Sequence, residues 1–263
     1  MMYNFSPCFD FKSVAPTATN LLICPDQYIA NYAYSGGKWQ LTPLDPSVSI
    51  EYDYDQNGNE KCRSRKRNTI AIILESPHKD EYLDGKNKLE NPICANGTTG
   101  DNLKECLSQL MDAMDLKGQN IDIAVINAIP YQCSQGVSTE VLRDFVWLKC
   151  WFEFGYNDTL DLLNKIKPDY IVNCCTKGCH FLPSASSLEV SKKYIEAVID
   201  KTKIGNYDDI AYYEKESGKK EYSLREFVNQ CIVNYAKGKT VLLYQCTHPC
   251  TWKTFEDANF RSI

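Results

Sequence analysis

The chain predicts an α/β fold: a three-layer α/β/α arrangement around a central four-stranded, mainly parallel sheet. Three observations carry this. Apolar runs rich in β-branched residues recur at 69–74, 121–126, 169–175 and 239–246, as expected of strands buried on both faces. Stretches with helical spacing separate them, as parallel crossovers require. Three of the runs end in polar or proline-bearing motifs, Glu75-Ser76-Pro77-His78, Asn127-Ala128-Ile129-Pro130 and His248-Pro249. In open parallel sheets, ligands bind just beyond the carboxyl ends of the strands, so these ends should share one rim.

Residues 1–67 read as an irregular extension packed on the core, with a short strand over 50–54 and a turn at 57–59. Residues 68–263 read as a single domain with an insertion around 180–222. Lys61-Cys62-Arg63-Ser64-Arg65-Lys66-Arg67 carries five positive charges in seven residues. Such a run serves equally as a phosphate grip or as a solvated basic loop. Thr69–Leu74 is the first strand, and Pro77 closes it by withholding a ladder donor and forcing Ser76 extended. A long loop, 79–98, leads to a helix over 100–114 with Leu103, Leu107, Leu110 and Met114 on one face. The second strand follows at 121–126. Helices are expected at 138–154 and 159–166, the latter ended by Lys167-Pro168. The third strand is followed by helices over 187–199 and 223–235, and the fourth strand closes the sheet.

The composition supports a sizeable core, with 43% hydrophobic and 12% aromatic residues. No apolar run approaches the 20 or so residues that span a bilayer, so no membrane partner is expected. Residues 1–16 lack a basic segment followed by an apolar one, so a secretory signal is not expected and the chain is expected to be cytoplasmic. The net charge of −5 does not advertise nucleic-acid binding, although local patches decide that question. The thirteen cysteines read as reduced thiols, several in apolar surroundings. Cys174, Cys175, Cys179 and His180 form the densest cluster, but its spacing matches no zinc pattern, and neighbours on a strand point to opposite faces. No metal is expected.

The order of motifs resembles the uracil-DNA glycosylase superfamily. Leu74-Glu75-Ser76-Pro77-His78-Lys79-Asp80-Glu81 resembles its first motif, closest to the branch reading Gly-Glu-Ala-Pro-Gly-x-x-Glu. Gly100-Asp101-Asn102-Leu103 resembles the start of the following helix. Val125-Ile126-Asn127-Ala128-Ile129-Pro130 resembles the strand whose terminal asparagine reads the flipped base. Pro168-Asp169-Tyr170-Ile171-Val172 resembles the Pro-x-x-Ile-Val strand, and Thr247-His248-Pro249-Cys250 the final His-Pro-Ser motif. The likeness covers roughly residues 68–180 and 238–255. Departures are equally visible. Leu74 replaces the leading glycine, and Ser76 stands where uracil-specific enzymes carry a catalytic aspartate. His78 replaces the tyrosine that excludes C5-substituted pyrimidines, and Ile93 replaces the stacking phenylalanine. The matching branch often holds an iron–sulfur cluster. Cys133 and Cys150 fall near two of its ligand positions, but the N-terminal Cys-x-x-Cys is missing, so no cluster and no other cofactor is expected.

The resemblance implies a monomeric enzyme that flips a nucleotide out of DNA and breaks its N-glycosidic bond, leaving an abasic site. Positive charge then builds on the sugar and negative charge on the departing base, and fixed groups stabilise both. Glu75 is the expected carboxylate, with Asp80 and Glu81 as substitutes, and His248 the expected donor to the base. Asn127 offers an acceptor and two donors to a pyrimidine edge. Ser76, Pro77, His78 and Ile93 would line the base pocket. Trp252 would fill the space left in the base stack, and Arg63, Arg65, Lys66 and Arg67 would grip phosphates. Histidine at position 78, with long segments at 79–98 and 180–222, favours a bulky C5-modified pyrimidine such as the glucosylated hydroxymethylcytosine of phage DNA. A bacterial anti-phage type of this fold removes such a base. Uracil repair, and non-catalytic binding of nucleic acid or a nucleotide on the same fold, are the alternative readings.

Overall fold

The computed structural model describes residues 24–43, 68–84, 87–88, 92–131, 133, 147, 150–178, 213–214, 220–221 and 223–263. The basic run 61–67, the strand expected at 50–54, most of the helix expected at 138–154, the helix expected at 187–199 and nearly all of the insertion lie outside these residues.

The centre is a single seven-stranded mixed sheet. Its strands are β1 (Gln27–Ser35), β2 (Lys38–Pro43), β3 (Asn68–Leu74), β4 (Asn120–Asn127), β5 (Tyr170–Asn173), β6 (Leu242–Gln245) and β7 (Arg261–Ser262). Their order across the sheet is β7-β6-β5-β3-β4-β1-β2. The four expected runs form its parallel heart: β3 pairs with β4 and β5, and β5 with β6.

The expectation of four strands is corrected by the edges. β1 and β2 form an antiparallel hairpin laid against β4, and β7 lies antiparallel to β6. Residues 27–43 are therefore sheet, not irregular extension. Their signal was Gly36-Gly37, both at positive φ, the two-residue turn that matches the twist of antiparallel strands. Tyrosines and asparagines around it hid the strand pattern. Asn31, buried in β1, donates to Asn120 Oδ1 at 2.9 Å, to Asp122 Oδ1 at 2.8 Å and to the carbonyl of Ile121 at 3.2 Å, which pins the hairpin to the parallel strands.

β3 occupies the middle because its residues can be buried on both sides. Ile70, Ile72 and Leu74 enter one core with Leu103, Leu107, Leu110 and Met111 of α1 (Thr98–Ala113). Ala71 and Ile73 enter the other, with Trp147, Trp151, α2 (Tyr156–Ile166) and α3 (Leu224–Ala236). Helices thus cover both faces of the sheet. α2 follows a π-helical turn at Trp151–Gly155 and ends at Lys167 in the left-handed region, just before Pro168. Adjacent Cys174 and Cys175 fall into opposite cores, as successive strand residues must. No helix among the described residues is long and apolar enough to cross a membrane.

Register sets the rim. Leu74 lies beside Asn127, Ile73 beside Asn173, and Asn173 beside Gln245. The four parallel strands end level, so the residues following each emerge together.

Candidate functional site

Glu75 is the first residue beyond β3. Its carbonyl accepts the Trp147 indole N–H at 2.7 Å and the Ile129 amide at 3.0 Å, while the Leu74 carbonyl accepts the Ala128 amide at 2.8 Å. Trp147 is itself stacked on Trp151, 4.9 Å between centroids. The backbone of Glu75 is therefore clamped from the helical layer and from the end of β4, and only its side chain is left to act.

That side chain, 8% exposed, meets His248. Glu75 Oε2 lies 3.2 Å from His248 Nε2. His248 Nδ1 accepts the backbone N–H of Cys250 at 3.3 Å, so in the neutral ring the proton is on Nε2, toward the carboxylate. The short 3-10 turn after Pro249 supplies that amide, and Asn102 of α1 holds the turn by donating to the Pro249 carbonyl at 2.8 Å. Two motifs from opposite ends of the domain become one carboxylate–imidazole pair.

The pair opens onto a cavity of about 350 Å³ lined by residues 74–78, 80, 81, 96, 98, 99, 176, 248 and 250. This volume is near the lower end of small-molecule pockets, roughly 300–1,000 Å³. Ser76 and Pro77 are buried in its wall. His78 and Asp80, both half-exposed, pair through Nδ1 and Oδ2 at 3.1 Å. Thr98 and Thr99 bring the N-terminus of α1 to the wall, where the helix dipole favours negative charge. Sequence reading missed Asn96, Thr98, Thr99 and Thr176. The positive-φ Gly97 that opens α1 is the signal that could have placed the first three at a tight loop-to-helix turn.

Glu81 lies deeper. Its carboxylate accepts the His78 amide and, at 2.6 Å, the Ala95 amide. Burial pushes its pKa up to about 8, opposed by those two amides and raised further by Glu75. Asn127, 3% exposed, adjoins Glu81; its amide nitrogen donates to Cys94 Sγ at 3.6 Å, and its Oδ1 has no hydrogen-bond partner. Asn127 is thus next to the cavity's deep wall rather than on its open surface.

Two expected residues fall elsewhere. Trp252 is 1% exposed, inside the core beneath α1, with its indole N–H shared between the carbonyl and hydroxyl of Thr247 at 3.1 and 3.0 Å. It is a core tryptophan, not a ring on the rim ready to enter a base stack. Ile93 is half-buried, its amide bonded to the Glu81 carbonyl at 2.9 Å, and it does not line the cavity. Arg63, Arg65, Lys66 and Arg67 are outside the described residues. Cys133 and Cys150 are buried in the tryptophan-bearing core. Of the ten described cysteines nine are buried, and Cys250 is exposed.

Comparison with protein-family models, with curated proteins and with solved structures finds no match.

Proposed function

We propose that this chain is a DNA glycosylase that excises a C5-modified pyrimidine from a flipped nucleotide. The observation that carries the reading is the Glu75–His248 pair at 3.2 Å, on the wall of the cavity beyond the parallel strands. Both residues come from the motifs that resemble the superfamily.

In this reading the nucleotide enters the cavity with its glycosidic bond above Glu75. The carboxylate stabilises the cationic sugar and orients the attacking water, while the Nε2–H of His248 holds that carboxylate in place. The helix N-terminus at Thr98 and Thr99 adds positive potential on the same wall. Asp80 holds the proton of His78 on Nδ1, which leaves Nε2 as an acceptor suited to a hydroxyl on the C5 substituent. Ser76, in place of an aspartate, leaves Glu75 as the charge nearest the reaction.

The test is release of the base. The full chain is incubated with duplexes carrying glucosylated hydroxymethylcytosine or uracil, and abasic sites are counted. Excision of the modified cytosine, lost in Glu75→Gln, is the expected result. Efficient uracil release alone would reassign the substrate, and tight binding without abasic sites would favour a non-catalytic role.

A further inference from the structure

The fold gathers a second set of reactive groups that the proposed chemistry does not use. Cys24, just before β1, and Cys94, in the loop before α1, bring their thiols beside the Glu81 carboxylate. Their ligand atoms all lie within 4.8 Å of one another, and all three residues are buried. No sequence spacing announces the set, because its members come from three separate segments.

We infer that Cys24, Cys94 and Glu81 bind a zinc ion that ties the N-terminal hairpin to the wall of the cavity. Two thiolates and one carboxylate are ordinary zinc donors, and tetrahedral coordination leaves one position for water or a fourth residue. Only a small contraction brings atoms already this close around one ion.

The surroundings support a cation. Asp26, two residues after Cys24, accepts the Asn127 backbone amide at 2.9 Å. Its charge acts on both thiols, and Glu81 also acts on both. Burial raises the pKa of Glu81, and the hydrogen bond with Cys24 together with burial raises that of Cys94, with the nearby carboxylates adding to both, so each holds its proton in the metal-free site. A divalent ion reverses that: binding displaces the two thiol protons and the Glu81 proton to solvent and neutralises the repulsion. The Asn127 side chain already donates toward Cys94 Sγ, the kind of hydrogen bond that stabilises a metal-bound thiolate. Its Oδ1, buried and unpartnered, is a further oxygen at the same place.

The ion would be structural, and its position matters. Glu81, Asn96, Thr98 and Thr99 line the cavity, and the loop that carries Cys94 connects them. Zinc would fix that wall from behind, independently of what the cavity binds.

The test uses the full chain, reduced, without DNA, so it is separable from the excision assay. The chain is expected to purify with one zinc. After chelation, cobalt(II) alone should restore one equivalent and give a thiolate-to-cobalt charge-transfer band. Cys24→Ser and Cys94→Ser should each weaken metal binding at least tenfold, whereas Cys231→Ser, in the opposite core, should not. The wild-type spectrum decides even where a variant fails to fold. Absence of both zinc and the cobalt band, or a band that survives in the Cys24→Ser/Cys94→Ser double variant, would overturn the site. Recovery of Cys24 and Cys94 as a disulfide-linked peptide from metal-free protein would overturn it in favour of a redox pair.

Discussion

Gly100→Ala is a sharp test of how the cavity wall is built. In a helix, alanine ordinarily gains up to about 1 kcal/mol over glycine. Here the added Cβ would meet the Ala95 carbonyl oxygen at 1.9 Å and the Ala95 carbonyl carbon at 3.1 Å. Both are backbone atoms, so the loop before α1 must retreat by more than 1 Å. That overpacking costs about 1–3 kcal/mol. The same movement pulls the Ala95 amide from Glu81, now 2.6 Å away, and a lost bond to a buried carboxyl costs about 1–3 kcal/mol more. After subtracting the helical gain, a net loss of about 1–5 kcal/mol is expected, centred on about 3. At that centre Tm falls by about 6–12 °C for a chain of this size. Urea unfolding of Gly100→Ala beside Gly118→Ala gives the measurement. Gly118 has positive φ but open space around its Cβ position, so its variant carries only the left-handed penalty, about 1–2 kcal/mol. A Gly100→Ala protein as stable as wild type, or more stable, would refute this packing of α1 against the loop.

Three further outcomes follow from the site. Glu75→Gln keeps the shape and an acceptor for His248, so its stability should stay within about 1 kcal/mol, while excision should fall about 100- to 1,000-fold; equal losses of stability and excision would point to a structural role. Trp252→Ala should cost about 3–5 kcal/mol by urea unfolding, with excision per folded molecule retained; a selective loss of excision would return the residue to the DNA. In the metal-free chain, the raised pKa of Glu81 sets a pH dependence. Folding keeps its proton from the ordinary 4.5 up to about 8, so the folded state binds more protons across that window. The stabilising effect is full below about 4.5 and is lost as pH rises through 8, and Glu81→Gln should flatten that fall. A wild-type stability that rises between these values would contradict the assignment.

Much of the parallel heart was legible because a strand buried on both faces must be largely apolar, and residues 70–74 and 123–126 are apolar throughout. The helix carrying Leu103, Leu107 and Leu110 was legible for the same reason, as its apolar spacing records the face it buries. Glu75 and His248 were visible as polar residues stopping apolar strands, but their pairing was not. That required the register that ends β3 and β6 level, which arises only when the strands associate. Trp252 shows the converse. Its spacing from His248 suggested a surface wedge, and tertiary packing decided otherwise, because a large ring with its N–H satisfied by Thr247 is more stable under α1 than in water. The β1–β2 hairpin had one local sign, Gly36-Gly37, but its place in the sheet depended on β4, far away in sequence, and β7 depended on β6. Most remote from sequence is the grouping of Cys24, Glu81 and Cys94. Residue order holds no distance between them, and only the docking of the N-terminal segment on the end of β4, through the Cys24 amide and the Pro130 carbonyl at 2.8 Å, brings two thiols and a carboxylate to one point.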